Sequence, residues 1–285
     1  MKIVVLSTDT EHYLLKWWFP HTAKKFDFGV VVDFNCDENA QDNTYELYKK
    51  FVPHWRYYKV TQKQVSNFLW DVVLSKIEKD LLKEFPGSWI TSLNATEFLI
   101  GDMSFLDKIK MNRQVLIPCH LMNDRLEDEG IEPDSEVSLL EQRHHGVHYK
   151  SDYPHPHRGK SFQLFEKQKP ENVILNTRWM RSIHNYPVDY LATSIYSVGR
   201  HFWDLTRSTD QLAICHMNLS PYTKTFLDRK KNVQRRLTPS DHQADRGIHH
   251  RVDDTKLESR KRFYDQLTVD LLPEIQKLEN ANENE

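Results

Sequence analysis

A chain of 285 residues with 39% hydrophobic and 28% charged side chains has the make-up of an ordinary globular protein, long enough to bury a substantial core. Its formal net charge of -2 gives no reason to expect a polyanionic partner, so nucleic acid is set aside. No apolar run approaches the roughly 20 residues needed to span a bilayer, so no transmembrane segment is expected.

The first strand signal is Lys2 to Ser7, a short β-branched apolar run suited to burial on both faces. It turns polar too early for a secretory signal. Glu11 to Lys24 reads as an aromatic-rich helix that Pro20 should kink or end. Phe28 to Phe34 is a second buried strand carrying Asp33 near its end, Asn43 to Phe51 a short helix, and Trp55 to Val60 a third strand. Gln64 to Glu84 is helical, with Val65, Phe68, Leu69, Val72, Val73, Ile77 and Leu81 forming one apolar stripe. Pro86-Gly87 stops it, and Trp89 to Leu93 begins another strand. Alternating strands and helices make an α/β unit. Their strand ends leave a crevice where such sheets bind ligands, and Ser7, Asp33 and the residues after Leu93 meet there.

Farther on, Val115 to Ile117, Asn172 to Leu175 and Leu212 to His216 are strand signals. Asn123 to Glu136 reads as an exposed acidic loop, and Lys256 to Leu278 as a closing helix that Pro273 kinks or splits. The apolar-poor tail from Leu278 reads as a frayed end. Three widely spaced cysteines, Cys36, Cys119 and Cys215, do not make a disulfide framework, so a reducing, cytoplasmic setting is expected.

Taken in order, these blocks resemble the family-2-like glycosyltransferases of the GT-A fold, in their branch with a D-x-D-E-F motif. The first block is a strand followed by Thr10-Glu11 and a helix with Trp17-Trp18. The second is Val31-Val32-Asp33-Phe34-Asn35-Cys36-Asp37 with Asp42-Asn43-Thr44 downstream. The third is Trp89 to Leu99, where Asn94-Ala95-Thr96-Glu97-Phe98 stands in place of the motif. A looser fourth is Leu212 to His216, followed by Phe226, Arg229 and Lys230. The resemblance implies a largely parallel mixed sheet flanked by helices in one domain. Residues 1–110 would form a nucleotide-sugar half, 111–255 an acceptor half with the His216 strand, and 256–285 a C-terminal helix and tail. It implies transfer of a sugar from a nucleotide-sugar donor to a hydroxyl of a glycan or other carrier. Donor contacts then fall on Ser7, Glu11, Asp33, Asn94, Thr96, Glu97, Arg229 and Lys230, and a metal role on Glu97 and His216.

The departing diphosphate gains charge, so a divalent cation or fixed positive groups must stabilise it. Hard cations such as Mn²⁺ or Mg²⁺ want carboxylates. Here both aspartates of the motif are replaced, by Asn94 and Thr96, and only Glu97 is charged. Three outcomes stay open: a weakly held Mn²⁺ or Mg²⁺ on Glu97 and His216, metal-independent catalysis on basic residues among Arg229, Lys230, Lys231, Arg235 and Arg236, or a degenerate site that binds glycan without transferring sugar. A general base for the acceptor hydroxyl is sought among Glu166, Asp189 and Asp204. A sugar nucleotidyltransferase is the remaining rival, but Ser7 to Glu11 is not the Gly-rich, basic loop that a triphosphate needs.

Other clusters have bland readings beside sharp ones. His144, His145, His148, His155 and His157 suggest zinc, yet with no cysteine nearby they read first as loop or acceptor contacts. Arg178 to Asn185 and Gly199 to Trp203 could form a sugar platform or simply core. Lys224 to Arg236 is a solvated helix face or a diphosphate contact, and His249-His250 could sit on a loop closing over the donor.

Overall fold

The apolar β-branched runs become the centre of the sheet. In the computed structural model, which describes residues 1–34, 43–60, 67–109, 114–149, 180–186, 196–197, 201–202, 209–234, 238–239, 243 and 253–281, strand β1 (Lys2–Thr8) lies parallel between β2 (Phe28–Asp33) and β4 (Trp89–Asn94). Strand β3 (Arg56–Lys59) adds parallel to the outer side of β2. Period-two alternation sends Val4, Leu6 and Val31 into one core and Ile3, Val5, Val30 and Val32 into another, so both faces of the sheet are covered.

The second half of the sheet continues the same framework. Strand β8 (Met180–His184) runs antiparallel between β4 and β6 (Gln114–Asn123). Strand β5 (Glu97–Gly101) pairs antiparallel with β11 (Leu212–Leu219), which lies parallel to β6. Strand β7 (His145–Val147) pairs with β6, β12 (Val269–Asp270) pairs with β7, and the short β9 (Tyr196–Ser197) and β10 (His201–Phe202) continue from β8. The main path is β12-β7-β6-β8-β4-β1-β2-β3. Strands β1, β2, β3, β4, β6 and β11 therefore all end on one edge. This is the mixed α/β sheet flanked by helices expected from the sequence, parallel through β1 to β4 and crossed by antiparallel strands in its second half.

The flanking helices are α1 (His12–Ala23), α2 (Thr44–Phe51), α3 (Asn67–Glu84), the single turn α4 (Leu139–Gln142), α5 (Lys224–Gln234), α6 (Asp254–Asp265) and α7 (Leu272–Glu279). Helix α1 buries Trp17, Trp18 and Phe19, and it runs on past Pro20 to Ala23 instead of ending there. None of the described helices is long and apolar enough to cross a membrane.

Two expectations change. The inner face of α3 holds Asp71, Leu74, Glu78, Leu81 and Leu82, whereas Val72 is 36% exposed. Val73, Ile77 and Leu81 of the expected stripe pack on the core, joined by two buried acids, and Glu78 is accommodated because Ser92 Oγ donates to it at 2.6 Å. The segment after residue 122 is not an exposed loop at its start, since Asn123 and Asp124 are buried at the end of β6. The closing helix is split, one of the two outcomes expected, with β12 between its halves and Pro273 in the first turn of α7, where its missing N–H has no helical role. The strand signal at 172–175, the stripe residue Val65 and Cys36 lie outside the described residues.

Trp55 closes over β2 at a point where only glycine fits, because a Cβ on Gly29 would lie 2.2 Å from the Trp55 ring. Gly29→Ala is expected to lower stability by about 1–3 kcal/mol through overpacking, read as a reduced urea midpoint. An unchanged midpoint would mean that Trp55 is not seated on this strand.

Candidate functional site

The strand ends meet in register. Ser7 of β1 is paired with Asn94 of β4, and Thr8 with Asp33 of β2. Ser7 Oγ donates to Asn94 Oδ1 at 2.6 Å. Asp33 is wholly buried, and its Oδ2 accepts from Tyr57 Oη at 2.5 Å and Lys59 Nζ at 2.7 Å. Lys59 stands directly opposite Asp33, and Tyr57, two residues earlier, shares its face. The lysine head is 42% exposed, so the pair connects a buried carboxylate to the rim of the crevice. Among the described residues, Thr8 Oγ1 is buried without a hydrogen-bond partner, the kind of group that a bound molecule would satisfy. Beyond Tyr57, the rings of Tyr45 and Tyr48 lie 5.0 and 5.1 Å from it and line a shallow hollow with Tyr58, Trp55 and Arg56.

Past β1 the chain turns through Asp9 and Thr10 to Glu11, which precedes α1. Glu11 Oε2 accepts from the Asp9 N–H at 3.0 Å. Arg229 of α5 reaches across to it, with Nη2 hydrogen-bonded to Glu11 Oε1 and Nε donating to Thr10 Oγ1 at 3.3 Å. Lys230 is buried beside it, with Nζ 5.3 Å from the centre of the Phe226 ring. Burial first, then the Arg229 and Arg260 charges, push the Lys230 amine well below its ordinary range. The buried Tyr13 phenol lies within the field of Arg229, Glu11, Glu132 and Asp124, and burial pushes its ionisation upward. Asp124, at the end of β6, accepts from the Tyr222 N–H at 2.7 Å and lies 3.4 Å from Arg143 Nε. Burial outweighs these partners and the nearby Ser220 hydroxyl, raising its carboxyl to about 6.

The turn between β4 and β5 carries Asn94, Thr96 and Glu97. Glu97 is wholly buried, and both its oxygens are engaged by Arg181 of β8, with Nε 2.9 Å from each and Nη2 2.8 Å from Oε2. The Asn94 N–H also donates to Oε2 at 2.8 Å. The backbone is held as firmly. Trp18 Nε1 donates to Glu97 O at 2.8 Å, and the Met217 N–H donates to Thr96 O at 2.7 Å. His216 of β11 is the cross-strand partner of Glu97, so the sheet does bring these two residues side by side. Among the described residues, however, neither belongs to a group of three or more converging metal-ligand atoms.

Of the residues expected at the donor site, Ser7, Asp33 and Asn94 are thus aligned on one edge, and Glu11 meets Arg229. Thr96 is buried within its turn, and Glu97 faces Arg181. Glu166, Asp189, Asp204, Arg235, Arg236, His155, His157 and His249-His250 lie outside the described residues. Arg181, Ser182, His184 and Asn185 are buried, which places the described part of that stretch in the core, while Arg178 and Trp179 lie outside the described residues. The sequence did not single out Tyr57, Lys59, Arg260 or Asp124. Lys59 and Tyr57 had a signal in the alternation of Arg56-Tyr57-Tyr58-Lys59. Asp124 repeats the pattern that marked Asp33, an acid just past an apolar strand.

No protein-family model matches the chain, and no curated protein matches its sequence. Among solved structures the chain is similar to S. aureus TarS, with a TM-score of 0.30 and 18% identity over 49% of this chain and 26% of that one. It is also similar to S. aureus TarS 1-349, with a TM-score of 0.28 and 14% identity over 47% of this chain and 39% of that one. The chain spans well under half the length of either, and so slight a likeness carries no functional argument.

A buried ion pair is hard to break because the remaining charge is stranded. Arg181→Ala is expected to cost about 3–5 kcal/mol in urea unfolding, and most of that loss should be recovered by combining Arg181→Met with Glu97→Gln. A loss under about 1 kcal/mol would match an exposed pair instead and contradict the buried arrangement.

Proposed function

We propose that the chain is a glycosyltransferase that binds a nucleotide sugar along the ends of β1, β2 and β4 and passes the sugar to a hydroxyl of a glycan or other carrier. The observation that carries this reading is the in-register alignment of Ser7, Thr8, Asp33 and Asn94, flanked by the Glu11–Arg229 pair. A nucleoside offers ribose hydroxyls and base N–H groups. Asp33, already polarised by Tyr57 and Lys59, is the acceptor for one of them, and the buried Thr8 hydroxyl is a second contact. The tyrosines beside Asp33 offer a stacking surface for the base.

The diphosphate falls to positive side chains. Arg229 lies at the edge already, and Arg260 is close enough to Lys230 for its charge to lower the ionisation of that amine. An arriving anion favours the charged form of Lys230 and so opposes the burial that disfavours it. Charge developing on the leaving group is then met by groups already in place. A Mn²⁺ or Mg²⁺ ion fits these residues poorly. Asn94 supplies only a neutral oxygen that already accepts from Ser7, and both oxygens of Glu97 are held by Arg181. The reaction we propose therefore runs without a carboxylate-held cation. The buried free thiols Cys119 and Cys215 support a reducing, cytoplasmic setting.

The same occupation of Glu97 also favours a second reading, a glycan-binding protein that no longer transfers sugar. One experiment separates the two. In a thermal-shift panel of UDP-, GDP- and dTDP-sugars, one class is expected to stabilise the protein equally with and without Mn²⁺. At a hundredfold excess over Kd the gain is about 2.7 kcal/mol, or several degrees. Asp33→Ala should abolish the shift while the melt stays cooperative. Stabilisation by glycans alone would establish the second reading, and a shift that survives in Asp33→Ala would remove Asp33 from the site.

A further inference from the structure

We propose that His120, His148 and Glu274 form a zinc site that fastens helix α7 to the second half of the sheet. Strands β6 and β7 pair antiparallel with Leu121 opposite Val147 and Met122 opposite Gly146. One step along that register sets His120 opposite His148, so both imidazoles leave the same face. Their rings lie 4.9 Å apart at 65°. Glu274 enters from the first turn of α7. Its Oε2 is hydrogen-bonded to His148 Nε2, and its Oε1 lies 3.7 Å from His120 Nε2. One ligand atom from each of the three residues lies within 4.8 Å of the other two.

Zinc binds imidazole nitrogen and carboxylate oxygen at about 2.0–2.2 Å, which sets ligand atoms of a tetrahedral site roughly 3.3 Å apart. Small side-chain adjustments bring this trio to that spacing. Two imidazoles and one carboxylate favour zinc over the oxygen-seeking Mg²⁺ and Ca²⁺, and they leave a fourth position for water. His120 is wholly buried and is held against Tyr149, whose backbone N–H faces His120 Nδ1 at 3.4 Å. Zinc on Nε2 places the imidazole proton on Nδ1, so that long contact must open. This makes His120 the weakest of the three ligands.

The consequence is mechanical. Helix α7 already packs through Leu271 and Ile275, and Glu279 at its far end accepts from Lys25 Nζ and the Gly101 N–H. A metal at Glu274 fixes its near end to β6 and β7 as well. The neighbouring trio of His144, His145 and Asp270 serves as an internal control, since it lies at the start of β7 and on β12 and is more open, with Asp270 exposed.

The test uses full-length protein stripped by chelator, loaded with Zn²⁺, desalted and assayed for metal by mass spectrometry. A parallel Co²⁺ sample is read by visible absorption, which reports tetrahedral coordination. One zinc per chain, a Tm raised by several degrees and visible Co²⁺ bands are expected. His148→Gln and Glu274→Gln should each lose the retained metal and the bands while keeping the far-UV circular dichroism of the parent, and His144→Ala should keep both. Should one of the two ligand variants not fold, the other carries the test. The proposal is overturned if no zinc is retained, or if metal persists in His148→Gln or Glu274→Gln. It is also overturned if His144→Ala abolishes binding.

Discussion

The ion pair between Glu97 and Arg181 governs both the shape and the chemistry of this protein. A carboxylate with no exposed surface is tolerable only when a cation and hydrogen bonds meet it on every side. Arg181 supplies the charge from β8, and the Asn94 N–H supplies a further bond from the turn itself. Fixing Glu97 in this way fixes the β4–β5 turn, and with it the position of Asn94 beside Ser7. It also sets β8 between β4 and β6, while β5 carries β11 into the second layer of pairing. The same bond takes the one charged residue of the turn out of reach of a metal. The turn is thereby firmly held, and in the function proposed here the anion is met by α5 and α6 instead.

Much of the framework was legible because it follows from local patterns. β-branched runs marked β1, β2 and β4, and an acid closing an apolar run marked Asp33. Helix α3 was placed correctly and Val73, Ile77 and Leu81 do face the core, but the two acids beside them were missed and Val72 was misplaced. Hydrophobic periodicity cannot recognise Asp71 and Glu78 as inward residues when the partners that make them tolerable, such as Ser92, lie on another element. The start of the segment after β6 was misread for the same reason, since Asn123 and Asp124 look like loop residues until Thr268, Tyr222 and Arg143 are seen around them.

The site divides along the same line. Ser7, Asn94 and Asp33 could be named because strand ends are visible in sequence. Glu11 and Arg229 could each be named, but their bond spans 218 residues, and no local rule reports it. Arg181 was visible only as one member of a basic, aromatic stretch, and its burial against Glu97 is a product of the β4–β8–β6 order. The histidines show this most clearly. Read along the chain, His144, His145 and His148 form one cluster, but the fold divides them. His148 turns toward His120 and Glu274, while His144 and His145 turn toward Asp270.

The central claim is that a sugar nucleotide lies along the ends of β1, β2 and β4. Amide hydrogen exchange, followed with and without the sugar nucleotide that stabilises the protein most, tests it directly. The account predicts slowed exchange in residues 7–12, 33–34 and 94–97 together, because one ligand would cover three strand ends in register. Protection confined to other segments, with these three unchanged, would contradict it.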